Sequence, residues 1–147
     1  MSRTRHWRKR RGATLVETAL VLPMFFLFLL GIFEYGQYEM VRQVVENAAR
    51  AGARYAVVNS ADASTSQVQQ VVSQQLNNMP MFNSPTIQVF KADPTSGANI
   101  GAWTAAKFGD CIGVQVHGTY QPVTAQLLKL PASLPFQTEA MMTCEAN

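Results

Sequence analysis

The chain has 147 residues, 48% of them apolar, and a formal net charge of +3, a length that supports one modest domain. The charge is unevenly placed. Six of the twelve bases (Arg3, Arg5, Arg8, Lys9, Arg10, Arg11) stand in residues 1–12 without an acid, and the remaining six face all nine acids. Nucleic-acid binding requires bases spread over a folded face, so no nucleic-acid partner is expected.

The basic arm precedes the most apolar stretch of the chain. Residues 18–33 (TALVLPMFFLFLLGIF) carry no charge, and counting back to Ala13 gives 21 residues with Glu17 as the one acid. About 20 apolar residues are needed to span a hydrocarbon core, which predicts a transmembrane segment over about 13–33. The positive-inside rule keeps residues 1–12 cytoplasmic and sends the rest of the chain across. The expected setting is a bacterial inner membrane, single pass, with the lipid bilayer as a partner and the C-terminal domain periplasmic. A cleaved secretory signal would end in a small-x-small site; GIFEYGQYEMV, which follows, has none.

No helix stop appears before about residue 58, and Pro23 predicts a kink within the membrane helix rather than its end. Past Phe33 the pattern turns amphipathic. Met40, Val41, Val44, Val45, Ala48, Ala49 and Gly52 recur at three- and four-residue steps, opposite Glu39, Gln43, Glu46, Arg50 and Arg54. Ala48, Ala49, Gly52 and Ala53 form a small-residue patch that predicts close approach of a sheet or another helix. Residues 59–66 read as a polar linker, and 67–78 as a short helix capped by Ser64, Thr65 or Ser66.

Strand patterns then take over. Residues 85–92 and 111–120 alternate as half-buried strands, with a turn-rich loop at 93–101 between them. Residues 121–134 form a proline-bounded connection with a turn of helix near 125–129, and 136–145 a closing strand. The expected fold class is α+β: a long N-terminal transmembrane-plus-amphipathic helix, then an exported domain (67–147) with one short helix and an antiparallel sheet of three or four strands.

Gly12-Ala13-Thr14-Leu15-Val16-Glu17 resembles the processing site of type IV pilin-like proteins, in which a prepilin peptidase cuts after the glycine and leaves glutamate as the fifth mature residue. RRGATLVETALVLPMFF followed by FEYGQYEMVRQVVENAARAGARY is similar to the TadE-like minor pseudopilins of tight-adherence (Tad, type IVb pilus) systems. The likeness covers roughly residues 10–55; Val114-Gln115-Val116 with Tyr120-Gln121-Pro122 extends it more weakly. It implies a cleavage site at Gly12 and Ala13, removal of leader 1–12, and assembly roles for Glu17 and Pro23. The partners it implies are the prepilin peptidase, other pseudopilins, the major pilin and the Tad inner-membrane assembly platform, with pilus assembly and adhesion as the function. Thr18 departs from the tyrosine that follows this glutamate in major pilins, and the folded domain is larger than theirs, which fits a minor subunit.

An acid at the bilayer centre costs roughly 2.5–3.5 kcal/mol on insertion scales. Cleavage would liberate an amine at Ala13 with a pKa near 8, one helical turn from Glu17. Pairing with that amine, on its own chain or a neighbour, would convert the cost into an assembly rule; alternatively Glu17 rests at headgroup level.

Export places Cys111 and Cys144 in an oxidising compartment, which predicts a disulfide. Placing them directly opposite each other would set the Ile112/Val114/Val116 face beside Met141, Glu139 and Gln137. Matching the apolar faces instead needs a one-residue slip or a bulge at Gly109 or Gly113. His117 stands alone, too few donors for zinc, and no metal or cofactor is expected. No phosphate loop, nucleophile elbow or HExxH is present, so the chain reads as a peptidase substrate rather than an enzyme. The alternative function is an uncleaved, membrane-anchored exported domain that binds another envelope protein.

Overall fold

A single helix of 51 residues, α1 (Arg8–Val58), carries the chain from its basic arm to the domain. At 1.5 Å per residue it is on the order of 75 Å long. The computed structural model describes residues 8–60, 62–77 and 79–144; Arg3 and Arg5 of the leader, and Glu145 of the closing strand, lie outside them. The helix begins five residues before the expected Ala13 and runs through Pro23 without interruption, although that residue cannot donate to the carbonyl four positions back.

No described residue covers residues 14–29 of α1. Residues 14–29 are all exposed, among them Leu15, Leu20, Phe25, Phe26 and Phe28. This is the one helix among the described residues long and apolar enough to cross a membrane.

The second half is the spine of the domain. Val41, Val45, Ala48, Ala49, Ala53 and Ala56 are fully buried, whereas Met40 is half exposed and turns away from the core. Helix α2 (Thr65–Leu76) lies beside it, burying Val68, Val72 and Leu76. It starts two residues earlier than the sequence pattern gave. Ser64 accepts from the Gln67 amide, and the Gln67 side chain accepts from the Ser64 amide, a reciprocal cap that satisfies two otherwise orphaned donors. Gly52 marks the crossing of the two helices: a Cβ placed there would lie 2.4 Å from Val72 Cγ2 and 3.5 Å from Val114 Cγ1.

Both helices share one core with a four-stranded antiparallel sheet of order β2-β1-β3-β4, in which β1 is Phe82–Ala92, β2 Asn99–Gly101, β3 Cys111–Tyr120 and β4 Leu134–Thr143. The short edge strand β2 falls in the stretch expected to be loop, and β1 begins three residues early. An irregularity in pairing between Asn83 and Thr86, with Ser84 at φ 55°, accommodates Pro85 inside the strand, since proline has no ladder donor to offer. Along β3 and β4, Ile112, Val114 and Gly118 face Met142, Ala140 and Phe136 in unbroken register. That is the slipped register, reached without a bulge, so apolar matching rather than cysteine opposition sets the pairing.

The end of the sheet nearest the exposed half of α1 is closed by rings. Tyr38 meets Tyr120 edge-on at 5.4 Å and Phe136 at 6.0 Å, and Phe136 meets Phe82 at 5.8 Å. Phe82 lies directly over Gly118, where a Cβ would come within 2.3 Å of its ring; only glycine leaves room for it.

Candidate functional site

The residues of the expected processing site lie on the uncovered half of α1. Gly12 is exposed, and a Cβ placed there would meet nothing within 4 Å among the described residues; the Ala13 side chain lies outside them. Glu17 is exposed and enters no ion pair among the described residues. The hydroxyl of Thr18 donates back to the Thr14 carbonyl at 2.8 Å, the usual way a mid-helix threonine satisfies itself where water is absent. Gly12 and Ala13 are helical, so a protease that reads extended backbone would have to unwind this turn. Glycine makes that easier by about 1 kcal/mol relative to alanine.

A second carboxylate, which the sequence reading passed over, organises the place where the apolar helix meets the domain. Glu34 follows Phe33 directly and is buried, 6% exposed, the one buried charged residue among those described. Its Oε1 accepts from the Tyr120 hydroxyl at 2.5 Å and the Val123 amide at 3.2 Å. Its Oε2 accepts from the Thr124 amide at 2.9 Å and the Thr124 hydroxyl at 2.6 Å. Four donors from one short stretch, 120–124, therefore converge on a single helix side chain.

Burial alone would raise the Glu34 pKa, but the hydrogen bonds from the Thr124 and Tyr120 side chains and the two amides outweigh it and hold the carboxyl below its ordinary value. Tyr120 shifts the other way: burial, its bond to Glu34 and the adjacent negative charge keep the phenol protonated. A signal for this site was present in the sequence. Glu34 lies on the same helical stripe as Val41, Val45 and Ala48, and an acid on a buried stripe requires donors.

The small residues Ala48, Gly52 and Ala53, with Ala49, are buried within the chain's own core. Gly52 touches α2 and β3, so this patch is occupied by intramolecular packing. Beside it, Glu46 bridges Arg42 and Arg50 on the exposed face of α1 at 3.3 Å each.

Cys111 and Cys144 are free thiols, both buried. Cys111 pairs opposite Thr143 and joins Phe90 and Ala92 in a small cluster, while Cys144 belongs to the main core. The Cys144 thiol is pushed up by burial and by the nearby Asp110 and Cys111. His117 is paired opposite Thr86 and Gln137. Among the described residues no three His, Cys, Asp or Glu side chains gather as a metal site.

The stretch from the exposed Gly12 through the buried Glu34 to the Gly52 crossing, carried on one helix, is also what the comparison with known families picks out. Residues 12–54 match the family of TadE-like proteins. The TadE-like segment is under a third of the chain; it opens at the expected cleavage glycine, takes in Glu17 and Glu34, and stops short of α2 and the sheet. Neither curated proteins nor solved structures gave a match. The TadE-like segment and the bare apolar half of α1 together point to a Tad pilus-related protein with a single-pass membrane anchor.

Proposed function

We propose that the chain is a minor pseudopilin of a type IVb (Tad) pilus system, inserted with its basic arm in the cytoplasm, cut by prepilin peptidase between Gly12 and Ala13, and assembled with other pseudopilins and the major pilin on the inner-membrane platform. The observation that carries this reading is the bare half of α1. Residues 13–33 are about 30 Å of helix, the thickness of a hydrocarbon core. Their one acid, Glu17, is four residues from the amine that cleavage would create.

The chemistry follows from charge. An acid in lipid is costly unless neutralised, and an α-amino group next to it on a packed neighbour neutralises it. A subunit whose Glu17 meets the Ala13 amine of another is held at a fixed axial offset. The outer domain then projects where it primes, caps or decorates the assembly in adhesion.

The experiment is N-terminal mapping of the protein from cells with and without the peptidase. Ala13 as first residue, with reversion to the full leader when the peptidase is missing or Gly12 is replaced by a bulky residue, supports the proposal. An intact leader in working cells defeats it, and leaves the second reading, an uncleaved anchored domain that binds another envelope protein. The continuity of helix from Arg8 through Ala13 is the observation favouring that alternative.

A further inference from the structure

We propose that the loop between β3 and β4 is a second membrane-contacting element, a foot that inserts Val123, Leu127 and Leu130 into the outer interfacial layer of the bilayer beside the helix. The proposal rests on reading the bare half of α1 as the span, and deepens it by assigning the lipid surface a second contact on this chain.

Three observations carry it. Glu34 is the first residue past the apolar run, and it holds Val123 and Thr124 at 2.6–3.2 Å. Whatever depth α1 adopts in the membrane, the loop is fixed at the level where the helix leaves it.

The loop also carries large apolar side chains that the domain does not cover. Val123 is 57%, Leu127 63% and Leu130 39% exposed, three large aliphatics within eight residues; elsewhere in the sheet domain Ile100, Phe108 and Met141 are exposed too. Leu128, Leu130 and Leu134 further line, with Gly31 and Tyr35, an open, mostly apolar pocket of about 280 Å³. Gly31 belongs to the last turn of the apolar run, so the loop reaches down alongside the span rather than standing off it.

Lys129 adds the matching charge. It turns the chain at φ 53° between Leu128 and Leu130, and its side chain is exposed. A lysine flanked by leucines at an interface lays its stem on acyl chains and sends its ammonium to the phosphates. Continuity with the span favours lipid over a protein partner as the occupant: α1 and the loop meet in one mostly apolar surface, where Gly31 and Tyr35 stand beside Leu128 and Leu130 and the Glu34 carboxylate is buried under its own hydrogen bonds.

The test uses the full chain in nanodiscs of phosphatidylcholine and phosphatidylglycerol with brominated acyl chains. Tryptophan is introduced in three variants, Leu127→Trp in the foot, Phe33→Trp at the end of the span and Phe108→Trp in the exposed loop at the opposite end of the sheet. The emission added by each variant over the parent chain is compared with that in unbrominated lipid. The expected result is blue-shifted emission quenched about twofold or more for Leu127→Trp, as for a side chain at the acyl boundary, with Phe33→Trp quenched and Phe108→Trp unaffected. Quenching at Phe33→Trp but not at Leu127→Trp overturns the foot and leaves the span standing. No quenching at either defeats the span and the foot together. A blue shift at Leu127→Trp without quenching means that protein covers the loop, and also overturns the proposal.

Discussion

The Glu34 carboxylate and the Tyr120 hydroxyl, 86 residues apart in sequence, share a buried hydrogen bond that ties the end of the apolar helix to the end of strand β3. A helix that leaves a membrane and enters a domain can pivot at that point unless something locks it. Here one side chain takes a donor from the end of β3 and three from the loop that follows, and the ring of Tyr38 packs on Tyr120 directly above. The orientation of the domain relative to the helix is therefore set by polar bonds at the boundary and apolar packing beyond it.

Breaking this lock has graded consequences. Tyr120→Phe removes one donor and leaves the carboxylate three, which should cost about 1–2 kcal/mol. Glu34→Ala strands the hydroxyls of Tyr120 and Thr124 and two amides in a buried place, and should cost about 3 kcal/mol or more. Thermal unfolding of the full chain in nanodiscs measures the order. Hydrogen exchange should localise it, with the Val123 and Thr124 amides losing protection first in Glu34→Ala. Unchanged exchange at those two amides would show that the loop is held by something else.

The lock also predicts an acid limit. The Glu34 carboxyl titrates below its ordinary value when folded, so the folded state favours the ionised form. That contribution is fully present above the unfolded carboxyl's pKa of about 4.3 and is lost as pH falls through the lower folded value. Asp93, held by the Ser96 and Thr95 amides, and Asp110, held by Lys91 and the Lys107 amide, shift in the same direction. Stability should hold between pH 7 and 5 and decline below about pH 4. The decline should be shallower in Glu34→Gln, which has no carboxyl to protonate. An identical acid slope in that variant would assign the limit to the two aspartates.

Gly52 is a case where helix propensity and packing oppose each other. Alanine there gains about 1 kcal/mol of propensity, but its Cβ would meet Val72 Cγ2 at 2.4 Å. Val72 is fully buried and β-branched on a helix, so it has little rotamer freedom with which to retreat. Overpacking of this kind costs about 1–3 kcal/mol. Gly52→Ala should therefore be destabilising, and Val72→Ala should cost less in the Gly52→Ala background than alone. The double-mutant cycle decides it, and additivity within about 0.5 kcal/mol would mean the two do not touch.

Much of this was legible in the chain because its strongest signals are periodic. The long helix, the short capped helix and strand β3 follow from apolar spacing, and the β3–β4 register follows from matching the apolar sides of two strands. What escaped had a local pattern that disagreed with its tertiary use. Asn83-Ser84-Pro85 reads as a turn but is a strand that bends around its proline. Residues 99–101 sit among turn formers whose Asp93 carboxylate accepts from the Thr95 and Ser96 amides, yet they pair with β1. Glu34 was hidden for another reason: its donors lie 86 to 90 residues away, and no spacing rule connects them. Its place on the apolar stripe was the visible clue.

Glu17 and Glu34 are both single acids on the apolar side of one helix, and they separate two demands on it. Glu34 is satisfied within the chain, whereas Glu17 is exposed and enters no ion pair among the described residues. Replacing Glu17 removes a charge that would cost roughly 2.5–3.5 kcal/mol at the bilayer centre and less near the cytoplasmic end of the span, where it stands, so Glu17→Ala should insert at least as well as the parent and fold the same outer domain. It should nevertheless fail to co-purify with partner pseudopilins, because the amine at Ala13 of a neighbour would have no counter-charge to meet. Glu17→Asp, which keeps the charge on a shorter arm, should restore part of the association. Membrane fractionation and affinity capture measure the two halves separately. Normal capture of partners by Glu17→Ala would remove the assembly role and return Glu17 to a headgroup-level acid, while lost insertion would place its work in the membrane step itself.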